Sequence, residues 1–432
     1  MKKVGRSIIS ICILFFINIS LGVAQKESYY KRVFVDAEYY VLYEEYRDAL
    51  PLYKELYKSG RNNANINYRI GQCYLNTPGE KEKAILYLEK AVTSINPAYK
   101  EGYFTETGAP RQAFLLLGNA YRVAGNLQKA KSAYEEYQRL LMPDQKREQL
   151  IIANNLTSIS LALAVSPDQL KNEVTNLGNN INTSFPEVRP TVSGTGKVMA
   201  YTSMQRFYSA IFISRIGAVN QWIPAKNVTA EVNSEGSVFT SSLSFDGNIL
   251  LFTRSELDDF NLYMSRYDTI ARRWNPMERL NKNINSNAME MSAFLSKDGK
   301  TLYFSSNRDG GQGGYDLYKS NLGANNEWGE AINLGPTINT TFDEDSPALS
   351  EDGQTFFFSS NGHPGYGGID IFSASISGEN FGPVKNLGFG INTTDDDTYF
   401  CVIDNGKRIL VARPDINGFG DYDILIITAT HP

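Results

Sequence analysis

The chain has 432 residues, 21% of them charged and 42% hydrophobic, with a formal net charge of −5. Its Lys/Arg and Asp/Glu residues are mixed along the length, so no basic field exists to hold phosphates, which argues against a nucleic-acid partner. With only two histidines, one of them the penultimate residue His431, the composition offers little to acid–base catalysis.

The first segment reads as an export leader. Lys2, Lys3 and Arg6 precede an apolar run from Ile8 to Ile19, and Gly22-Val23-Ala24 supplies small residues before Gln25. The run is too short to span a bilayer comfortably, so cleavage after Ala24 and a periplasmic mature chain are expected. Cys12 sits inside the apolar core and not at the cleavage point, so no lipid anchor is expected. Cys73 and Cys401, one in each half, are expected to be separate buried thiols.

Residues 25–165 carry a helical period. Phe114-x2-Leu117-Gly118-x2-Tyr121-x8-Ala130-x3-Tyr134 predicts two antiparallel helices, with Gly118 and Ala130 permitting close approach and the large residues filling the seam. Gly125-Asn126 turns the chain between them. Weaker copies run through Ile70-Gly71-x2-Tyr74 to Ala84, Leu88 and Ala91, and through Tyr46, Ala49, Tyr53 and Leu56. Tyr39, Tyr40 and Tyr43 are expected in the core. Pro143–Leu163 is expected as a closing helix.

From residue 166 to 432 a unit of roughly 53 residues recurs five times, and such a repeat buries its apolar faces only by stacking. An Ile-Asn or Val-Asn step opens each copy: Ile181-Asn182, Val232-Asn233, Ile284-Asn285, Ile338-Asn339 and Ile391-Asn392. Asp246-Gly247, Asp298-Gly299, Asp352-Gly353, Asn405-Gly406 and, in the first copy, Gly194-Thr195-Gly196 are hairpin turns. A third strand begins at Ser209, Asn261, Asp316, Asp370 and Asp423, and a fourth is expected around Trp222, Trp274, Trp328 or Phe381. The last copy lacks that fourth strand; Lys171–Gly178 is predicted to supply it and close the ring, leaving no open edge.

The Phe114–Tyr134 spacing resembles the tetratricopeptide pattern. Ser346-Pro347-Ala348-Leu349-Ser350-x-Asp352-Gly353, with Phe357-Phe358-Ser359-Ser360-Asn361 and Gly367-Gly368-x-Asp370-Ile371, resembles the WD40-like repeat of TolB-type propellers. The fold class these resemblances imply is α + β multidomain: a leader (1–24), a tetratricopeptide-like α-solenoid (25–165) and a five-bladed β-propeller (166–432). That order is similar to envelope proteins associated with type IX secretion and gliding, though the peptidoglycan-gripping OmpA-like domain usual there has no counterpart in this sequence. The resemblance implies a non-enzymatic scaffold or adaptor, associated with the outer membrane, that binds protein partners through the helical groove and a propeller face. The alternative is peptidoglycan or carbohydrate binding by the propeller's rim loops.

No catalytic constellation emerges. Asp309, Tyr315, His363, Tyr366 and Phe419, in or beside the glycine-rich loops, are the binding-face candidates; His363 itself reads as a loop-tip surface residue. The acidic clusters Asp343-Glu344-Asp345 and Asp395-Asp396-Asp397 have oxygen ligands enough for calcium. Their recurrence by repeat position favours a structural role, and no cofactor or metal is expected.

Overall fold

The computed structural model describes residues 25–165 and 172–429, apart from 219, 257, 258 and 416. The leader and His431 lie outside the described residues. The chain divides into two compact units, Met1–Ile152 and Ala153–Pro432.

The first unit is a run of helical hairpins: α1 (25–42), α2 (Tyr46–Lys58), α3 (Ala64–Leu75), α4 (Ala84–Ala91), α5 (Gln112–Val123), α6 (Leu127–Leu140) and the start of α7 (Lys146–Leu163). The small residues act as predicted. A Cβ on Gly118 would sit 2.3 Å from the Tyr134 ring, and one on Gly71 would sit 2.4 Å from Leu88 Cγ, so each hairpin closes over a glycine. The Tyr134 hydroxyl then donates to Asn119 Oδ1 at 2.8 Å. Two expectations fail here. Tyr39 and Tyr43 are not core: they are 57% and 60% exposed, because α1 buries the face carrying Val33, Phe34 and Ala37 instead. Between α4 and α5 the chain also makes a long excursion that the repeat spacing gave no hint of.

The second unit is a five-bladed β-propeller: five antiparallel sheets of four or five strands, each built from consecutive strands except the last. That last sheet takes its outer strand, Glu173–Asn176, from before the first blade; it pairs with Asp423–Thr428 in the register Glu173↔Thr428 to Asn176↔Leu425. The predicted closure is therefore present. Trp274 and Phe381 lie as expected in short strands, Arg273–Trp274 and Asn380–Phe381, paired with the third strand of their blades. In four blades a further outer strand follows four residues beyond the aromatic, at Lys226–Asn227, Glu278–Arg279, Ile332–Asn333 and Lys385–Asn386. Trp222 and Trp328 make single bridges to Ile216 and Leu322 just before them.

Three side-chain devices explain why the repeat reads as it does. The Ile-Asn asparagine bonds both backbone groups of one residue in the preceding blade. Asn339 Oδ1 accepts from Leu317 N at 2.8 Å while its Nδ2 donates to Leu317 O at 3.0 Å, and Asn285 treats Leu262, Asn392 Ile371 and Asn182 Ile424 the same way. The third-strand aspartate gathers the glycine-rich loop before it: Asp316 accepts from Gln312 N and Gly313 N, and Asp423 from Phe419 N and Gly420 N. Gly365 shows why glycine is needed, since a Cβ there would lie 1.9 Å from Asp370 Oδ2. Finally, a buried acid stands at the start of the inner strand, or in blade 5 four residues before it. Glu187, Glu290, Glu344 and Asp397 each accept from the backbone N–H of the Thr or Ser four residues earlier. In blades 1, 3 and 4 a serine hydroxyl completes the acid's shell, whereas in blade 5 Arg413 donates to the shorter Asp397.

Candidate functional site

The innermost strands, which begin at Glu187, Val238, Glu290 and Glu344 and reach Cys401–Ile403 in blade 5, run from the face of the glycine-rich loops to the face of the Asp-Gly turns. Four of them slip register midway, between Val188/Thr191, Thr240/Leu243, Glu290/Ala293 and Asp345/Ala348. Arg189, Ser346 and Tyr399 take positive φ at this level, at 50°, 54° and 52°. Such bulges re-aim side chains, here around the axis.

Around that axis the blades are tied in sequence. In each joint a side chain of one blade accepts from a backbone N–H of the next: Thr191 Oγ1 from Leu243 N (2.9 Å), Ser241 Oγ from Ala293 N (2.6 Å), Ser292 Oγ from Ser346 N (3.0 Å) and Ser346 Oγ from Tyr399 N (3.2 Å). Cys401 Sγ completes the circle by accepting from Val192 N at 3.2 Å. At the centre Arg189 fills the channel. Its guanidinium lies 3.8 Å from the Tyr399 ring centroid and 4.8 Å from that of Phe239, and its Nη1 donates to Met291 O at 3.2 Å. Cation–π contacts of this kind are favoured by exclusion of water, and Arg189 is only 8% exposed.

Above this plug, on the Asp-Gly-turn face, a funnel of about 500 Å³ opens to solvent. Its wall is apolar: Leu243, Phe294, Leu295, Leu349, Phe400 and Val402 come from four blades, and blade 1 adds Val192. The mouth is shaped by the turns. Ser244, Ser296 and Ser350 each donate to the aspartate two residues on, at 2.6–2.7 Å, which fixes the Asp-Gly hairpins. Phe245 lies over Gly194, where a Cβ would meet its ring at 1.9 Å, and Lys297 Nζ stands 4.3 Å above that same ring. The titratable groups lining the funnel are Lys297, Asp298 and Glu351 at the mouth and Cys401 within. Burial pushes the Cys401 thiol up to about 11, so it stays protonated at neutral pH. The Ser296 hydroxyl and Lys300 N–H hold Asp298 below the usual carboxylate range. The arrangement can take up an apolar group and contact polar atoms at the lip.

The candidates read from the sequence lie on the opposite face and are spread over three blades. Asp309 is exposed. Tyr315 is half-buried, its hydroxyl on Met289 Sδ at 3.3 Å, and burial pushes its pKa up to about 12. Tyr366 packs edge-on against Phe389 at 5.5 Å, and Phe419 is 48% exposed. His363 is not a loop-tip surface residue. Its ring lies between Phe358 and Phe372, at 5.5 and 5.4 Å, and its Nε2 reaches Ile338 O at 2.8 Å. Arg308 makes the equivalent bond to Ile284 O in the blade before, so the histidine fills a repeat position. Burial lowers its pKa.

The acidic clusters are likewise engaged by protein donors. Asp343 accepts from Tyr315 N and Asn361 Nδ2, and Asp345 accepts from Ser305 Oγ. Among the described residues no group of three or more His, Cys, Asp or Glu is disposed to hold a metal ion. No described helix is long and apolar enough to cross a membrane.

No family model matches the sequence, and no curated protein matches it. Solved structures do resemble it. TolB from Acinetobacter baumannii is 17% identical over 66% of this chain and 70% of its own, with a TM-score of 0.37. A putative TolB from Agrobacterium tumefaciens is 16% identical over 57% and 78%, also at 0.37. The catalytic domain of a GH62 alpha-L-arabinofuranosidase from Coprinopsis cinerea is 12% identical over 61% and 98%, at 0.41. Likeness at this level says nothing about ligand or chemistry.

Proposed function

We propose that the chain is a non-enzymatic scaffold of the cell envelope, holding protein partners through its helical array and through the funnel of its propeller. One observation carries this reading: the funnel is lined by apolar side chains of all five blades. Concave apolar sites with polar lips take up side chains of a partner. No acid–base pair or nucleophile with a base converges among the funnel's lining residues, which favours binding over chemistry. The helical hairpins, with glycines at their crossing points, are read as tetratricopeptide-type repeats spanning 25–165, followed by the propeller over 166–432. With a leader cleaved after Ala24 the scaffold would work in the periplasm, and the order of its parts suggests a secretion or gliding assembly.

The test is a photo-crosslinking residue at Leu349 in the full chain, activated in native envelopes. Specific protein adducts are expected. Adducts with glycan strands only, or none, would overturn the reading. For rim-loop glycan binding Phe419 is the one exposed aromatic among the three proposed, so Phe419→Ala should abolish any muropeptide binding if that alternative is right.

A further inference from the structure

The excursion between α4 and α5 is a closed loop lying on the helical array. Asn96 N donates to Ala109 O at 2.8 Å and Ala109 N to Ser94 O at 2.9 Å, so the loop leaves and returns at one point. Glu106 organises its interior: the carboxylate accepts from Asn96 Nδ2 and from the backbone N–H groups of Lys100, Thr107 and Gly108, all within 3.1 Å. The loop therefore carries hydrogen bonds of its own besides its contacts with the helices beneath it.

Beneath it are α1 and α3, first helices of two successive hairpins. Tyr99 Oη donates to Asn65 Oδ1 at 2.8 Å, and its ring meets Tyr68 edge-on at 6.3 Å. Glu101 accepts from Arg69 at 3.2 Å, and Phe104 packs against Phe34 at 5.7 Å. Asn65 N donates to Thr107 O at 3.2 Å, in the manner of a bound peptide backbone. The residues underneath are buried and polar, Asn65 and Arg69 at 1% exposure each. Arg69 keeps an independent partner in Glu38 at 2.6 Å, and its Nε has no hydrogen-bond partner, so without the loop the side chain stays anchored and still offers an unused donor.

We infer that the loop at 97–107 is a built-in occupant of a peptide-binding cleft between α1 and α3. A partner displaces it with an extended segment of the same chemistry: an aromatic residue, a carboxylate two positions on, and a second aromatic three beyond that, as in Tyr99-x-Glu101-x2-Phe104. Groove binding of this kind is read through a few spaced anchors, and a tethered competitor raises the threshold for outside ligands by its effective concentration. The inference rests on the scaffold reading only for the identity of the partner; the cleft and its occupant stand on the contacts above.

The experiment uses the full chain with residues 97–107 replaced by a short Gly-Ser bridge, which the closely spaced ends at Asn96 and Gly108 accommodate. A labelled synthetic peptide spanning 94–110 is titrated against it and against the intact chain. At least tenfold tighter binding to the bridged chain is expected, with tenfold loss when the peptide carries Tyr99→Ala and Glu101→Gln. Equal binding, or none to a bridged chain whose helical circular dichroism is retained, overturns the inference. Failure here with Leu349 adducts still forming would leave the scaffold reading intact. Should the bridged chain lose its helical signal, amide exchange on the intact chain decides. Loop amides exchanging at least tenfold faster than those of α3 support a displaceable occupant, and equal protection refutes it.

Discussion

The sulfur of Cys401 accepts the backbone N–H of Val192 across the joint between the last and first blades, at 3.2 Å. Thr191, Ser241, Ser292 and Ser346 fill the corresponding role in the other four joints, each with a hydroxyl. Sulfur is the weaker acceptor, so the closing joint has the softest of the five links. Cys401→Ser is expected to hold or raise the melting temperature. Cys401→Ala leaves Val192 N unpaired and should cost about 1 kcal/mol, read by urea denaturation of the propeller.

Asn182 closes the same joint from the outside. Its amide takes both backbone groups of Ile424, 242 residues away, and also donates to Asn176 Oδ1 of the closing strand at 2.7 Å. Asn182→Ala strands the buried Ile424 N–H and leaves Ile424 O with only the Leu177 N–H at 3.3 Å, for a loss of roughly 1–3 kcal/mol. Asn233, the matching residue of the second copy, makes no such clamp: Thr229 Oγ1 instead accepts from Ile211 N at 2.9 Å. Since Asn233 is exposed at a φ of 53°, Asn233→Gly should change stability by less than about 0.5 kcal/mol. Equal losses at the two positions would show that the clamp is not what closes the ring.

The buried acids give the propeller a pH dependence of unusual sign. Burial pushes Glu344 up to about 7, against the pull of its Thr340 and Ser360 donors. The folded state then holds a proton that the unfolded chain releases near 4.5. This contribution is fully present below about pH 4.5 and is lost as pH rises through 7, on the order of 3 kcal/mol between the limits. Glu290 shifts in the same direction but has Arg308 at 3.2 Å to accept its charge. Burial pushes Asp397 up to about 7 as well, so denaturation midpoints measured from pH 5 to 8 should fall for the native chain and fall less steeply in Glu344→Gln. An unchanged slope in that variant would assign the dependence elsewhere.

What the sequence disclosed was whatever a local rule repeats. Asp-Gly between apolar runs marks a hairpin whether or not its blade is known, and Gly118 with Tyr134 marks a helix crossing within one short stretch. Even the ring's closure was legible, because the strand missing after Asp423–Thr428 had a counterpart before Ile181. The funnel was not, since its wall is assembled from one or two residues per blade and each inner strand alone looks like an ordinary core strand. The bulges that turn Arg189 and Ser346 to the axis leave no clear pattern, because Arg and Ser carry no preference for positive φ. The loop over α3 was hidden for a related reason. Asn96-Pro97, Gly102 and Gly108 announce a turn-rich segment, but Asn65, the residue that receives it, lies more than thirty positions earlier. Tyr39 and Tyr43 show the opposite case: aromatic character alone does not decide burial, and α1 turns the face of Val33, Phe34 and Ala37 inward instead.

Arg189 offers the most direct test of how the propeller's centre is held. The planar guanidinium is stacked between Tyr399 and Phe239 while Nη1 bonds Met291 O, so charge, shape and donor geometry are used together. Lysine keeps the charge but not the plane, and it cannot stack on one ring while donating toward the next blade. Arg189→Lys is therefore expected to recover little of what Arg189→Ala loses. The alanine variant forfeits the cation–π contacts and leaves Met291 O short of a donor, for about 2–4 kcal/mol in denaturant titrations. The carbonyl retains the Thr253 hydroxyl at 2.7 Å, which keeps the loss near the lower end. Because the small cavity beside Arg189 shares Ser241, Pro347 and Phe400 with the funnel, removing the side chain should also deepen the site. A hydrophobic dye that binds the native chain weakly should gain affinity in Arg189→Ala while the far-ultraviolet spectrum stays native. Full rescue of stability by lysine would mean that positive charge alone holds the centre, and the stacking argument would fall.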